Sequence, residues 1–319
     1  MTMQTITTIS DLQPAPLPAP SAWARRIADY YELIKPRMNL LVLGTTAVGY
    51  YMAARGKTDW LRVMHTLLGT ALLAAGAAVL NQYFERRHDA NMRRTARRPI
   101  AAGRIGATEA LLLGIILAIV GLFELSLRVN PLTAGLGAAT FLSYVFIYTP
   151  LKRITTLCTI VGAIPGALPT VMGWTAANGD LPPHILSAYL PQALALFGIL
   201  FFWQLPHFLA IAILYKDDYA HAGFKMLPVV DTDLRATGLQ IVVWSLALVP
   251  VTLLPSVLPD RLRMTGMLYF FAALVMGIAF TGFGVICAIK RGRAEARQLF
   301  FFSIAYLPLL TICMVIDKV

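Results

Sequence analysis

Charge is scarce in this chain. Of its 319 residues only 13% are Asp, Glu, Lys or Arg, while 58% are hydrophobic; a soluble domain carries about 25% charged residues. That shortage excludes both an ordinary soluble domain and a disordered chain. Cysteine is almost absent. Cys158, Cys287 and Cys313 sit far apart in apolar runs, with neither disulfide nor metal-ligand spacing. Acidic residues number 16 against 27 basic ones, a net charge of +11. In a soluble protein that excess would suggest nucleic acid. At a mean hydropathy of +0.68 it points to a membrane instead, and no nucleic-acid partner is expected. The first 24 residues hold no Lys or Arg, so neither a cationic leader nor an Arg-rich transit segment is expected. Residues 1–30 are expected to form a flexible amino-terminal tail, and 31–319 a single membrane domain.

Long apolar runs are abundant. Nine windows of spanning length recur, near 38–54, 63–84, 107–127, 131–149, 155–175, 187–214, 237–256, 265–289 and 298–316. None shows the two-residue alternation of a barrel strand. The expected fold is all-α, a polytopic nine-helix membrane bundle. Gly69, Gly76, Gly162 and Gly166, with neighbouring alanines, would let helix backbones approach closely where lipid offers no drive for burial. With nine spans the 27 Lys and Arg divide 20 to 7 between the two sides. By the positive-inside rule the amino terminus and the richer side are cytoplasmic, as in a multi-pass protein of a bacterial inner membrane.

The densest polar block follows the second span. Asn81, Glu85 and Asp89 repeat every four residues and therefore share one helical face. Two carboxylates and an amide offer the hard oxygen ligands that Mg²⁺ takes alongside substrate phosphates. Arg94 and Arg98 follow at the same spacing and suit a diphosphate, although the arginines alone fit a topogenic loop equally well. A second block on the same side holds Trp203, Gln204, Pro206 and His207, then Asp217 and Asp218. The acid pair suits a second metal or the same diphosphate. On a regular helix His207 and Asp218 share a face about 16 Å apart, which would aim His207 and Gln204 into a cavity below the ion site. Lys152, on a third loop of that side, adds positive charge or simply anchors the helix. Lys35 is equally ambiguous. Glu124 has no evident partner, and His65, His88 and His184 receive no role. An acid face, an acid pair and basic residues at the mouth of an apolar bundle suit Mg²⁺-diphosphate chemistry on a lipid-soluble allylic substrate, sheltered from water.

The Asn81–Glu85–Asp89 repeat resembles the first metal-binding motif of the UbiA superfamily of intramembrane prenyltransferases. Asp89-x-x-Met92-x-Arg94-Thr95-x-x-Arg98-Pro99, Tyr148-Thr-Pro-Leu-Lys152-Arg153, Trp203-Gln-x-Pro206-His207-Phe208 and Asp218-Tyr219 with Met226-Leu-Pro228 are similar to its haem-farnesylating branch, the haem O synthases. The resemblance runs from about Tyr31 to the last span. It implies transfer of the farnesyl group of farnesyl diphosphate to a vinyl group of protohaem IX (haem B), with hydration, giving haem O and diphosphate for haem-copper oxidases. It implies Mg²⁺ as cofactor, held by Glu85, Asp89 and Asp218, with Asn81 in the same catalytic region. Arg94, Arg98, Lys152 and Asp217 would meet the diphosphate or the haem propionates, while Gln204 and His207 would face the haem. Membrane lipid and a downstream haem A synthase are the further partners implied. The chain departs from the superfamily pattern twice: the second acidic motif is Asp217-Asp218 with His221 in place of a spaced Asp, and Glu85 stands where Asp is common. A quinone-precursor prenyltransferase of the same fold and an ion-coupled transporter are the competing readings.

Overall fold

The computed structural model describes residues 21–54 and 56–319. Met1–Pro20 and Arg55 lie outside the described residues, and with them most of the tail expected over 1–30. Among the described residues the regular elements are helical, apart from one isolated bridge between Thr265 and Lys318. In chain order they are α1 (Ala22–Leu33), α2 (Pro36–Ala53), α3 (Trp60–Asp89), α4 (Ala107–Arg128), α5 (Pro131–Leu142), a π-helical turn (Ser143–Tyr148), α6 (Thr149–Leu151), α7 (Cys158–Asn178) and α8 (Pro183–Ala188). Then come α9 (Leu190–Leu214), α10 (Lys216–His221), α11 (Leu227–Val230), α12 (Arg235–Val257), α13 (Met267–Lys290) and α14 (Arg293–Ile316). Among the described residues eight helices are long and apolar enough to cross a membrane, the stretch 131–151 counting as one. The expected first span is α2, which is shorter and less apolar, so the nine-helix expectation holds with α2 as its weakest member. The last part of the expected tail is not tail-like, because Ala22–Leu33 forms a helix capped by Ser21.

Local chemistry sets the helix ends. Asp59 caps α3 by accepting a bond from the Arg62 amide at 3.0 Å. Asn130 caps α5 through the Thr133 amide at 2.8 Å, with Pro131 pre-set in the first turn. Helix α3 has 30 residues and so spans about 45 Å. That exceeds the roughly 30 Å hydrocarbon layer and carries its last turns to the membrane surface.

Packing follows the small residues. A Cβ on Gly76 would strike the backbone of Gly114 and Ala118 on α4, and one on Gly121 would strike the Gly69 carbonyl of α3. The two backbones are therefore in direct contact, as association through van der Waals packing in lipid requires. Helix α7 runs between the halves of the bundle. It packs on α2 and α5 to one side and on α9 to the other, and residues of α7 belong to both large apolar clusters. His65 and Glu124, unassigned from the sequence, find each other across the α3–α4 seam at 2.6 Å.

Candidate active site at the polar end of the bundle

The acid face of α3 is buried: Asn81 is 2% exposed, Glu85 6% and Asp89 1%. Each meets a cationic or polar group from another segment. Lys152 Nζ donates to Glu85 Oε1 at 2.8 Å. Arg98 Nη1 donates to both Asp89 carboxylate oxygens, at 2.8 and 2.7 Å. Lys35 Nζ donates to Asn81 Oδ1 at 3.0 Å, while Asn81 Nδ2 donates to Thr149 Oγ1 at 3.2 Å. Three basic groups thus surround two carboxylates, and Lys35 is the one that bonds an amide instead of a carboxylate.

Backbone geometry delivers these cations. Lys35 lies in the left-handed region, φ 48°, at the elbow between α1 and α2, where Pro36 begins the next helix. Such a conformation costs a non-glycine residue of order 1 kcal/mol, and the elbow turns the lysine back onto α3. Lys152 depends on the π-helical turn. The wider i→i+5 turn over 143–148 shifts the helical register just before the lysine, and Thr149 Oγ1 closes it by donating to the Tyr144 carbonyl at 2.9 Å. The Lys152 ammonium then lies 4.6 Å from the centroid of the Tyr148 ring. Gly162 on α7 leaves the space that this ring fills.

The two lysines respond oppositely to one environment. Burial, then the Arg98 guanidinium and the Lys152 ammonium, push Lys35 down to about 7 despite the nearby carboxylates. Burial opposes charge on Lys152 too, but Glu85 in direct contact outweighs it and holds that lysine above its ordinary value.

The structure divides the remaining expected residues. Arg94 lies over the Tyr215 ring at 4.6 Å and donates to the Tyr219 hydroxyl at 3.2 Å, joining the end of α3 to α10. Asp217 pairs with Arg293 of α14. Among the described residues Asp218 has no side-chain hydrogen-bond or ion-pair partner, and it lines a cavity of about 470 Å³ with Asn91, Arg93, Tyr215 and Arg293. The acid pair therefore sits beside the α3 cluster without contacting Glu85 or Asp89.

The expected continuous face from His207 to Asp218 is not formed. Helix α9 stops at Leu214, and Tyr215 (φ −111°, ψ 25°) starts α10 afresh. His207 lies in the α9–α14 seam rather than over an ion site. Its Nδ1 shares a hydrogen bond with Ser303 Oγ at 2.6 Å, and its ring stacks on Trp203 and Phe300 with centroids 5.0 and 5.2 Å away. Gln204 is 3% exposed, donates to the Ala163 and Leu200 carbonyls, and fills the space left by Gly166. Both residues tie helices together here.

Lys35, Thr149 and Tyr148 join the site without having been assigned to it. The Lys35-Pro36 pair was visible, but not the elbow that aims it. His88 also gains a place, bridging the Ala222 carbonyl and Arg153 at 3.0 Å each.

Among the described residues no three His, Cys, Asp or Glu side chains form a ready metal cage. The donor set still suits Mg²⁺, which commonly takes one or two carboxylates and completes its shell with waters and substrate phosphate. Asn81, Glu85 and Asp89 supply hard oxygens on one face, each held by a cation that a diphosphate could draw away.

Residues 42–305 match the UbiA prenyltransferase family, a stretch that contains the whole acid face, Lys152 and the Asp217-Asp218 pair. The chain is 46% identical over 299 residues to the protoheme IX farnesyltransferase of Solibacter usitatus, covering 91% of this chain and 98% of that one. With the protein of the same name from Myxococcus xanthus it shares 41% over 293 residues, covering 92% and 95%. A UbiA homologue from Aeropyrum pernix superposes with a TM-score of 0.70 at 15% identity, over 88% of this chain and 97% of that one. One from Archaeoglobus fulgidus, bound to GPP and Mg²⁺, gives 0.61 at 16% identity, over 90% and 99%. With the family matched over most of its length and close relatives covered almost end to end, the chain belongs to the UbiA prenyltransferase family.

Proposed function

We propose that this chain transfers the farnesyl group of farnesyl diphosphate to a vinyl group of protohaem IX, adds water, and releases haem O and diphosphate. The carrying observation is the buried α3 acid face with Lys35, Lys152 and Arg98 gathered on it, in a chain 46% identical to a named protoheme IX farnesyltransferase. Asn81, Glu85 and Asp89, with Asp218 across the adjoining cavity, would hold Mg²⁺. The ion would neutralise charge on the departing diphosphate and make it a better leaving group.

The protein's own groups do the rest. An arriving diphosphate competes for the ammonium of Lys152 and the guanidinium of Arg98, and as these turn to phosphate oxygens the carboxylates of Glu85 and Asp89 become available as ligands. Lys35, disfavoured as a cation beside Arg98 and Lys152, gains an anionic partner. Arg94, held flat on Tyr215, adds charge at the rim. The ring face of Tyr148 offers electron density to an allylic cation as the carbon–oxygen bond breaks, and the apolar bundle keeps water from that cation until the vinyl carbon has attacked. The new carbon–carbon bond leaves a cation on the former vinyl group; water adds there and loses a proton, giving the hydroxyl.

Orientation belongs to the same proposal: a bacterial inner membrane, with the amino terminus and the acid face cytoplasmic, and a haem A synthase receiving the product. The test is to incubate membranes bearing the chain with protohaem IX and farnesyl diphosphate and to weigh the pigments by mass spectrometry. Haem O should form, vanish with EDTA and return with Mg²⁺. A farnesylated phenol in place of haem O, when a quinone precursor is supplied, would overturn the haem assignment. Substrate uptake with no prenylated product would overturn the enzyme reading.

A further inference from the structure

Helix α1 carries two sectors that the site does not use. At about 100° per residue, Trp23, Ile27 and Tyr31 fall within one narrow arc, and they are 79%, 65% and 62% exposed. A second sector faces the protein. Leu33 is fully buried against Val79, Ile100 and Ile105, Tyr30 and Arg26 both bond Glu109, and Gln82 donates to the Leu33 carbonyl at 2.7 Å. Arg104 reaches from the α3–α4 loop to Asp29 at 2.7 Å and Glu32 at 2.9 Å. The helix is therefore fastened along one side, with its apolar stripe turned outward.

Two features identify what covers that stripe. It leads directly into lipid-facing residues of α2, since Met38 and Leu40 are 61% and 66% exposed at the start of that span. Basic residues Arg25 and Arg37 flank it, the charge that suits anionic headgroups. A short helix with Trp on its apolar face and charges elsewhere is the form that lies along a bilayer surface.

We propose that α1 lies in the headgroup–acyl boundary of the leaflet on the acid-face side, with Trp23, Ile27 and Tyr31 in lipid, and that this seating holds the elbow that aims Lys35 at Asn81. The surface explains why Lys35 keeps a left-handed backbone: α1 is pinned flat by Arg104 and Glu109 while α2 descends from Pro36, and residue 35 takes up the turn. The second half of the proposal rests on the prenyl-transfer reading; the first does not.

The test uses the full chain in phosphatidylglycerol-containing nanodiscs. The emission of Trp23, obtained as the difference between wild type and Trp23→Phe, should be quenched more by lipid brominated near the headgroup than near the chain end, and little by aqueous iodide. Strong iodide quenching would overturn the placement by showing α1 in water. Stronger quenching by the deeper bromine would overturn it by showing an inserted helix. Protection from every quencher would overturn it by showing protein, a second copy included, over the stripe. For the second half, Ile27→Asp should raise KM for farnesyl diphosphate about five-fold, near 1 kcal/mol, with kcat and KM for haem little changed. An unaltered KM in a variant whose α1 has left the lipid would overturn the coupling to Lys35. If wild type makes no haem O in the same discs, the functional reading fails while the quenching still decides where α1 lies.

Discussion

Two buried polar regions of this bundle look alike in the sequence and differ in kind. At the end of α3, Glu85 meets Lys152, Asp89 meets Arg98 and the Asn81 amide meets Lys35, all at hydrogen-bond distance. In the α9 seam, His207 and Gln204 meet neutral partners: a serine hydroxyl, backbone carbonyls and flat rings. Charge pairs can exchange partners when a stronger anion arrives, because each cation keeps its charge and only changes its counterion. Neutral groups locked by stacking and close packing have nothing comparable to exchange. On the proposed reading, the difference separates a site from a joint.

The largest effect should come from Asp89→Ala, which removes a proposed ligand and strands Arg98. Haem O formation should fall at least about 100-fold. Orphaning a buried charge costs roughly 3–5 kcal/mol, and Arg98, with its side chain 22% exposed, should fall at the low end, so the protein should still reach the membrane. Activity within a few-fold of wild type would dissolve the contrast between the two regions.

Next comes Lys152→Met, which leaves Glu85 unpaired. Truncating one partner of such a pair costs about 2–5 kcal/mol, so KM for farnesyl diphosphate should rise by more than about ten-fold, with Lys152→Arg recovering part of it. Steady-state assays at varied diphosphate and fixed haem measure this.

His207→Ala should act mainly on stability, by about 1–3 kcal/mol for the lost Ser303 bond and stacking, with activity reduced less than about ten-fold. Thermal unfolding in detergent alongside haem O yield separates the two. A loss above 100-fold in a protein of normal stability would move His207 out of the joint and into the site. The smallest effect should be Gly166→Ala, whose new methyl crowds Gln204 at the α7–α9 contact; overpacking costs about 1–3 kcal/mol and should lower the unfolding temperature with KM unchanged.

Much of this was legible in the sequence because covalent spacing carries it. Asn81, Glu85 and Asp89 share a face on any α-helix, and the glycines of α3 and α4 announce close contact before their partners are known. What sequence could not deliver depended on where helices stop. The expected line from His207 to Asp218 assumed a helix that Tyr215 ends. Lys35 was visible but undirected, because its aim depends on a left-handed backbone at an elbow. Helix α1 escaped notice because 12 residues of mixed charge are too few to register in a search for spans. His65 and Glu124 were each unexplained alone, since their pairing exists only across the α3–α4 seam.

The π-helical turn over 143–148 has a consequence for how such chains tolerate change in length. A π turn is an α-helix that has absorbed one extra residue. Deleting one residue there would return the segment to ordinary α geometry with Lys152 still on Glu85, whereas a substitution that forces α geometry with no residue removed would swing everything after it by about 100°, carrying Lys152 off Glu85. Hydropathy, topology and every motif would survive the edit. Two chains indistinguishable by composition would then differ in whether their acid face has a cation to release.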